Sequence, residues 1–195
     1  MRAPFFCAIS VGSLGELDVS NHRIGLRRTR ALIGALALIC SLTPAAAADT
    51  GSSPEDRARF VSITQKLEQS PLSSVLQADR AWAMRWLTEA PDVSVTVCAD
   101  PLAGVIMSDY RYNPEILAQY TFAMAALVIE HPEAASDPNA QQLAGVESAL
   151  NAYRAILRDE PQAKAPELDG LLQRQGHGGL ADFVRKAFAR CSKKK

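Results

Sequence analysis

Asn113-Pro-Glu-Ile-Leu-Ala-Gln-Tyr-Thr-Phe-Ala-Met-Ala-Ala-Leu-Val-Ile-Glu-His-Pro132 is the stretch that decides the fold. Asn113 stands where a helix cap belongs, and Pro114 takes the first helical position, where the missing N–H costs nothing. Pro132 forbids continuation past His131. Between these marks, Ile116 to Ile129 is apolar apart from Gln119 and Thr121. A helix apolar on all sides is buried in the middle of its domain. The run is too short for a membrane span, which needs about 20 apolar residues.

The same punctuation recurs on either side. Ser53-Pro54, Ser70-Pro71, Asp100-Pro101 and Asp137-Pro138 repeat the start signal, and Pro91 and Pro161 repeat the stop. Helices are predicted over about 54–69, 71–89, 101–107, 114–130, 138–160, 166–175 and 180–191. Apolar residues recur at helical spacing in each long element: Phe60, Ile63, Leu67; Leu72, Val75, Leu76, Trp82, Trp86, Leu87; Leu143, Val146, Leu150, Tyr153, Leu157; Leu180, Phe183, Val184, Ala187, Phe188. The fold class is all-α: a compact helical bundle of about five main helices plus short ones, in a single domain over 49–195. Trp82 and Trp86, one turn apart, fall on one helix face and belong to the core. Ala149, Tyr153 and Pro161 match offsets of the second helix of a tetratricopeptide unit. The first-helix positions and a second copy are missing, so no repeat is read.

Val93-Ser-Val95-Thr-Val97 alternates as a strand does. Residues 49–195 offer no second candidate to pair with it. It is read as an extended connector packed on the helices, or as an edge that pairs with another chain.

Residues 1–48 read as a removable leader. Arg23, Arg27, Arg28 and Arg30 precede the weakly polar to apolar run Ala31–Leu42, and Thr43-Pro44 breaks it. Ala46-Ala47-Ala48 then offers the small side chains a signal peptidase reads, with cleavage after Ala48. Ile39 before Cys40 argues against lipidation, and Arg27-Arg28 lacks the apolar pattern of a twin-arginine signal. Glu16 and Asp18 are foreign to a leader's basic start, so translation is expected to begin later, near Val19 or Leu26. The expected location is periplasmic or secreted.

Removing the leader leaves Cys98 and Cys191 of the four cysteines. An even pair in an oxidising compartment predicts a structural disulfide between them. No C-x-x-C pair marks a redox site. The leader also takes five of the 21 basic residues and two of the 21 acidic ones, leaving 16 and 19 on residues 49–195, a net of −3. Mild acidity argues against a nucleic-acid partner, which requires a clustered basic face.

Candidate chemistry is sparse. His131 and His177 are the only histidines after the leader. His131 ends a helix and complements its dipole. His177 lies in Gly176-His-Gly-Gly179, which reads as a helix–helix connector. Neither has the spacing of a zinc site. No G-x-S-x-G or H-E-x-x-H occurs, and Asp159-Glu160 reads as a solvated helix end. No catalytic, metal or cofactor-binding residue is assigned. Asp109-Tyr110-Arg111-Tyr112 is the densest polar-aromatic cluster, and Tyr and Arg are the types that anchor interfaces. Tyr110, Arg111 and Tyr112 are therefore the candidate interaction residues.

The expected function is that of an exported, non-catalytic helical domain that binds another protein or serves in envelope structure, its partner being a protein or an envelope component. The second expectation is a carrier of a small apolar ligand in a cavity beside Ala123, Ala125 and Ala126. The third is a hydrolase without a recognisable motif.

Overall fold

A computed structural model describes residues 51–193. The expectations for the leader fall outside that range. Among the described residues, seven α-helices run Pro54–Gln69 (α1), Gln77–Glu89 (α2), Ala103–Ile106 (α3), Asn113–Glu130 (α4), Pro138–Asp159 (α5), Pro166–Gly176 (α6) and Leu180–Ser192 (α7). Short 3-10 turns occupy Ser74–Leu76, Asp100–Leu102 and Pro132–Ser136, and no strand occurs among the described residues. The class is all-α.

Two of the predicted caps act as caps. The Ser53 hydroxyl accepts from Asp56 N at 3.0 Å, and Asp137 Oδ1 accepts from Asn139 N and Ala140 N, each at 3.1 Å. Three starts differ. Ser70-Pro71 opens a turn closed by Ser73 N donating to Ser70 O, and α2 begins at Gln77. Proline suits the second position of such a turn as well as it suits a helix start. The turn buries Pro71 and leaves Val75 exposed, not on the α2 stripe. Asp100 begins a 3-10 turn and accepts from Arg190 instead of capping. Asn113 lies inside α4, and its amide donates to Val105 O and Ser108 O.

Helix α4 is the central element, and its two faces serve two cores. Ile116, Tyr120 and Met124 join Val146, Leu150, Tyr153 and Ile156 of α5, with Leu168 of α6 and Val184 of α7. Ala118, Phe122, Ala125 and Ala126 join Phe60, Ile63 and Leu67 of α1 and Ala83 of α2. Phe60 meets Phe122 edge-on at 5.5 Å and Trp86 at 4.9 Å, so large rings pack opposite the small alanines. Trp82 and Trp86 flank this second core, half-buried and stacked at 5.9 Å.

The two polar residues in the apolar run do different work. Thr121 bonds back to Leu117 O within its helix. Gln119 is buried, and its amide donates to Thr64 O of α1 at 3.1 Å and Ser148 Oγ of α5 at 2.8 Å. Ser148 Oγ in turn donates a hydrogen bond to Glu68, which also accepts from Asn151. A polar atom in a core needs its partner, so this chain fixes the register of α1, α4 and α5.

Residues 93–98 form the extended connector. Val93 and Val95 turn toward the helices, and Val97 is exposed. The carbonyls of Thr96 and Cys98 are taken by Gln142 Nε2 and the Tyr120 hydroxyl, so helix side chains do what a neighbouring strand would do. The connector ends at the Cys98–Cys191 disulfide, with Cα atoms 6.2 Å apart, which ties α7 to the middle of the chain.

Candidate functional site

The antiparallel packing of α1, α4 and α5 brings three connections to one end of the bundle: 70–76, 107–112 and 160–165. The middle one is wound tightly. Val105 O accepts from Ser108 N, Ser108 Oγ and Asn113 Nδ2, and Tyr110 O accepts from Asn113 N. The winding turns Tyr110 and Tyr112 inward and Arg111 outward; Tyr112 is 7% exposed, whereas the Arg111 side chain is 78% exposed.

Tyrosines stitch this loop to the next. The Tyr110 ring meets Tyr112 at 5.8 Å and Tyr153 at 6.2 Å, edge to face in both cases. Its hydroxyl donates to Ala163 O at 3.2 Å. The Tyr153 hydroxyl accepts from Ala165 N at 2.8 Å and donates to Asp169 Oδ1 at 2.9 Å. Tyr110 and Tyr112 thus build the floor of the site, and Arg111 is left to reach solvent.

Above that floor lies a groove of about 530 Å³, walled by Asp109 and Arg111 on one side and by Glu160, Lys164 and Glu167 on the other. A second hollow of about 330 Å³ shares Arg111, Tyr112 and Glu160 and extends to Leu72, Ser74 and Glu115. The Arg111 guanidinium sits 5.1 Å over the Tyr112 ring and 3.7 Å from Glu160 Oε2, between the two hollows. An exposed ion pair is worth about 0–1 kcal/mol and an exposed cation–π contact about 0.5–1 kcal/mol. Arg111 is therefore lightly held. Met107 and Val75, each 85% exposed, are next in sequence to Ser108 of the groove and Ser74 of the second hollow.

All four tyrosines resist ionisation. Burial raises Tyr110 above its ordinary 10.0 and pushes Tyr120 and Tyr153 up to about 12; interaction with the Glu160 carboxylate, then burial, raises Tyr112. The unfolded chain releases these protons near pH 10 and the folded chain keeps them. Raising the pH from 10 towards 12 thus favours unfolding. Absorbance at 295 nm is expected to show no tyrosine titrating near pH 10 in the folded protein, with phenolate appearing at higher pH together with loss of helix. A tyrosine ionising near 10 would mean that loop 107–112 is open in solution.

The other candidates stand apart. His177 is exposed, and its Nδ1 lies 2.7 Å from Gln173 O in its own helix. Gly178, at φ 72°, takes the left-handed position that ends α6. The hollow around His177 is walled by Gly170, Gln173, Arg174 and Gly179, with no carboxylate among them. His131 lies 3.4 Å from Glu133 on the surface. Cys98, Asp100 and Cys191 bring three metal-type donors within 4.8 Å, but the two sulfurs are joined to each other and Asp100 accepts from Arg190. Glu160, which by sequence reads as a solvated helix end, and the 160–167 wall were not among the candidate residues. The one available signal was Pro161-Gln-Ala-Lys-Ala-Pro166, a proline-bounded connection long enough to form a wall. Comparison of the chain with family models, curated proteins and solved structures finds no match.

Proposed function

We propose that this chain is an exported, non-catalytic recognition domain that binds another polypeptide through the groove at the end where α4 begins and α5 ends. One observation carries this reading. An exposed arginine lies over a tyrosine floor in a groove rimmed by Asp109, Glu160, Lys164 and Glu167. Aromatic and arginine anchors within a charged rim are the anatomy of protein interfaces. Export rests on the leader-like residues 1–48 and accords with the Cys98–Cys191 bond. The carrier reading has less support, because the hollows described above are not lined by Ala123, Ala125 or Ala126.

Amide exchange tests the reading. It would be measured on the protein alone and then with solubilised envelope proteins of the producing cell. Slowing confined to 105–113 and 160–167 is expected, with 174–180 unchanged. Slowing centred on 120–127 after addition of the extract's small molecules alone would put the carrier in its place.

A further inference from the structure

We propose that the Tyr112 ring face and the Glu160 carboxylate form a seat for a cationic side chain of the partner, and that Arg111 occupies this seat as an internal stand-in until the partner arrives. This rests on the reading of the groove as a recognition surface and adds the chemistry of the occupant: a polypeptide segment presenting an arginine or lysine beside an apolar residue.

Three observations support it. First, a guanidinium already sits there, 5.1 Å over the ring and 3.7 Å from a carboxylate oxygen, so the geometry accommodates a cation. Second, Arg111 is held by these exposed contacts at 78% side-chain exposure, so it can swing into solvent and bare the Tyr112 ring beneath it. Third, the rim carries Asp109, Glu160 and Glu167 against Lys164 once Arg111 has swung out, an acidic balance that suits an incoming cation. Met107, next in sequence to the groove residue Ser108, and Val75, next to Ser74 of the second hollow, are each 85% exposed and free to make an apolar contact.

The test uses the disulfide-intact protein and three capped pentapeptides, Gly-Leu-X-Leu-Gly, in which X is arginine, its uncharged isostere citrulline, or glutamate. Backbone amide shifts of residues 109–113 and the Arg111 Nε–H signal report binding. The arginine peptide is expected to shift both, moving the Arg111 signal to its free position. Arg111→Ala, which removes the competitor, is expected to bind that peptide about threefold to tenfold more tightly. Glu160→Gln is expected to bind it several-fold more weakly. Equal binding of the citrulline peptide, or no gain in Arg111→Ala, would overturn the inference. Preference for the glutamate peptide would also overturn it and make Arg111 the recognising cation, while leaving the groove as a recognition surface. No shift with any peptide at millimolar concentration overturns it too; protection of the groove by envelope proteins would then still stand as a separate result.

Discussion

Replacing Cys98 and Cys191 together by serine is expected to lower the stability of the domain by about 4–5 kcal/mol. The bond spans 93 residues, and cross-linking a loop of that size removes about that much free energy from the unfolded ensemble in the chain-entropy model. Helix α7 has little to replace it. Leu180, Val184 and Ala187 are its fully buried apolar contacts, at about 1.5–3 kcal/mol for each large side chain. Ordering its backbone costs about 1–2 kcal/mol for every residue. The Arg190–Asp100 pair lies on the surface, where such contacts contribute about 0–1 kcal/mol. A domain of this size has about 5–15 kcal/mol in all, so the loss is a large share of the total. It corresponds to a fall in melting temperature on the order of 10–20 °C. Thermal unfolding of the double variant, and of the protein with and without reductant, measures it. Amides of 180–192 are expected to exchange first. A change below about 1 kcal/mol would mean that apolar packing alone holds α7.

Gly145→Ala is expected to destabilise the protein by about 2–3 kcal/mol, although alanine is the better helix former by about 1 kcal/mol. At Gly145, α5 lies directly against α4. A Cβ would stand 2.6 Å from Tyr120 Cδ2 and 2.8 Å from the Tyr120 carbonyl oxygen. The carbonyl belongs to the backbone of a buried helix and cannot turn aside, so the two helices must part. Overpacking of this kind costs about 1–3 kcal/mol. Moving Tyr120 also disturbs its bonds to Cys98 O and Gln142, each worth about 1 kcal/mol. Gly170→Ala in α6 is the matched control. A Cβ there meets nothing within 4 Å, and the same change is expected to stabilise by about 0.4–1 kcal/mol. Urea unfolding of the two variants should show midpoints moving in opposite directions. Movement in the same direction would place the α4–α5 contact elsewhere.

What the sequence disclosed about the fold was local. Ser53 and Asp137 announce helix starts because a cap needs only its own next turn. The all-round apolar run at 116–129 announces a central helix because no single neighbour covers every face. Ser70-Pro71 misleads because a turn and a helix start ask the same of those two residues. The alternation at 93–97 announces an extended connector because valines that pack on helices alternate as well as valines in a sheet. The cysteine pairing was legible from parity once the leader was set aside.

The site was legible only in part, because it is built from three connections far apart in sequence. Tyr110, Arg111 and Tyr112 stood out by type. Nothing near them in the chain points to Glu160 or Ala163. Their meeting depends on α4 running antiparallel to α5, a register fixed by the buried Gln119–Ser148 bond, its half-buried partner Glu68 and the Tyr120–Gln142 pair. Polar side chains of that kind look like ordinary helix residues until the fold places them.

Site-specific photo-cross-linking in producing cells tests the central claim most directly. A benzophenone side chain would replace Met107, exposed and next in sequence to the groove residue Ser108, or Val97, exposed on the connector. One discrete polypeptide adduct is expected from position 107, reduced several-fold in Glu160→Gln, and none from position 97. Adducts of equal yield from both positions, or an adduct from 97 alone, would contradict the assignment of recognition to the groove.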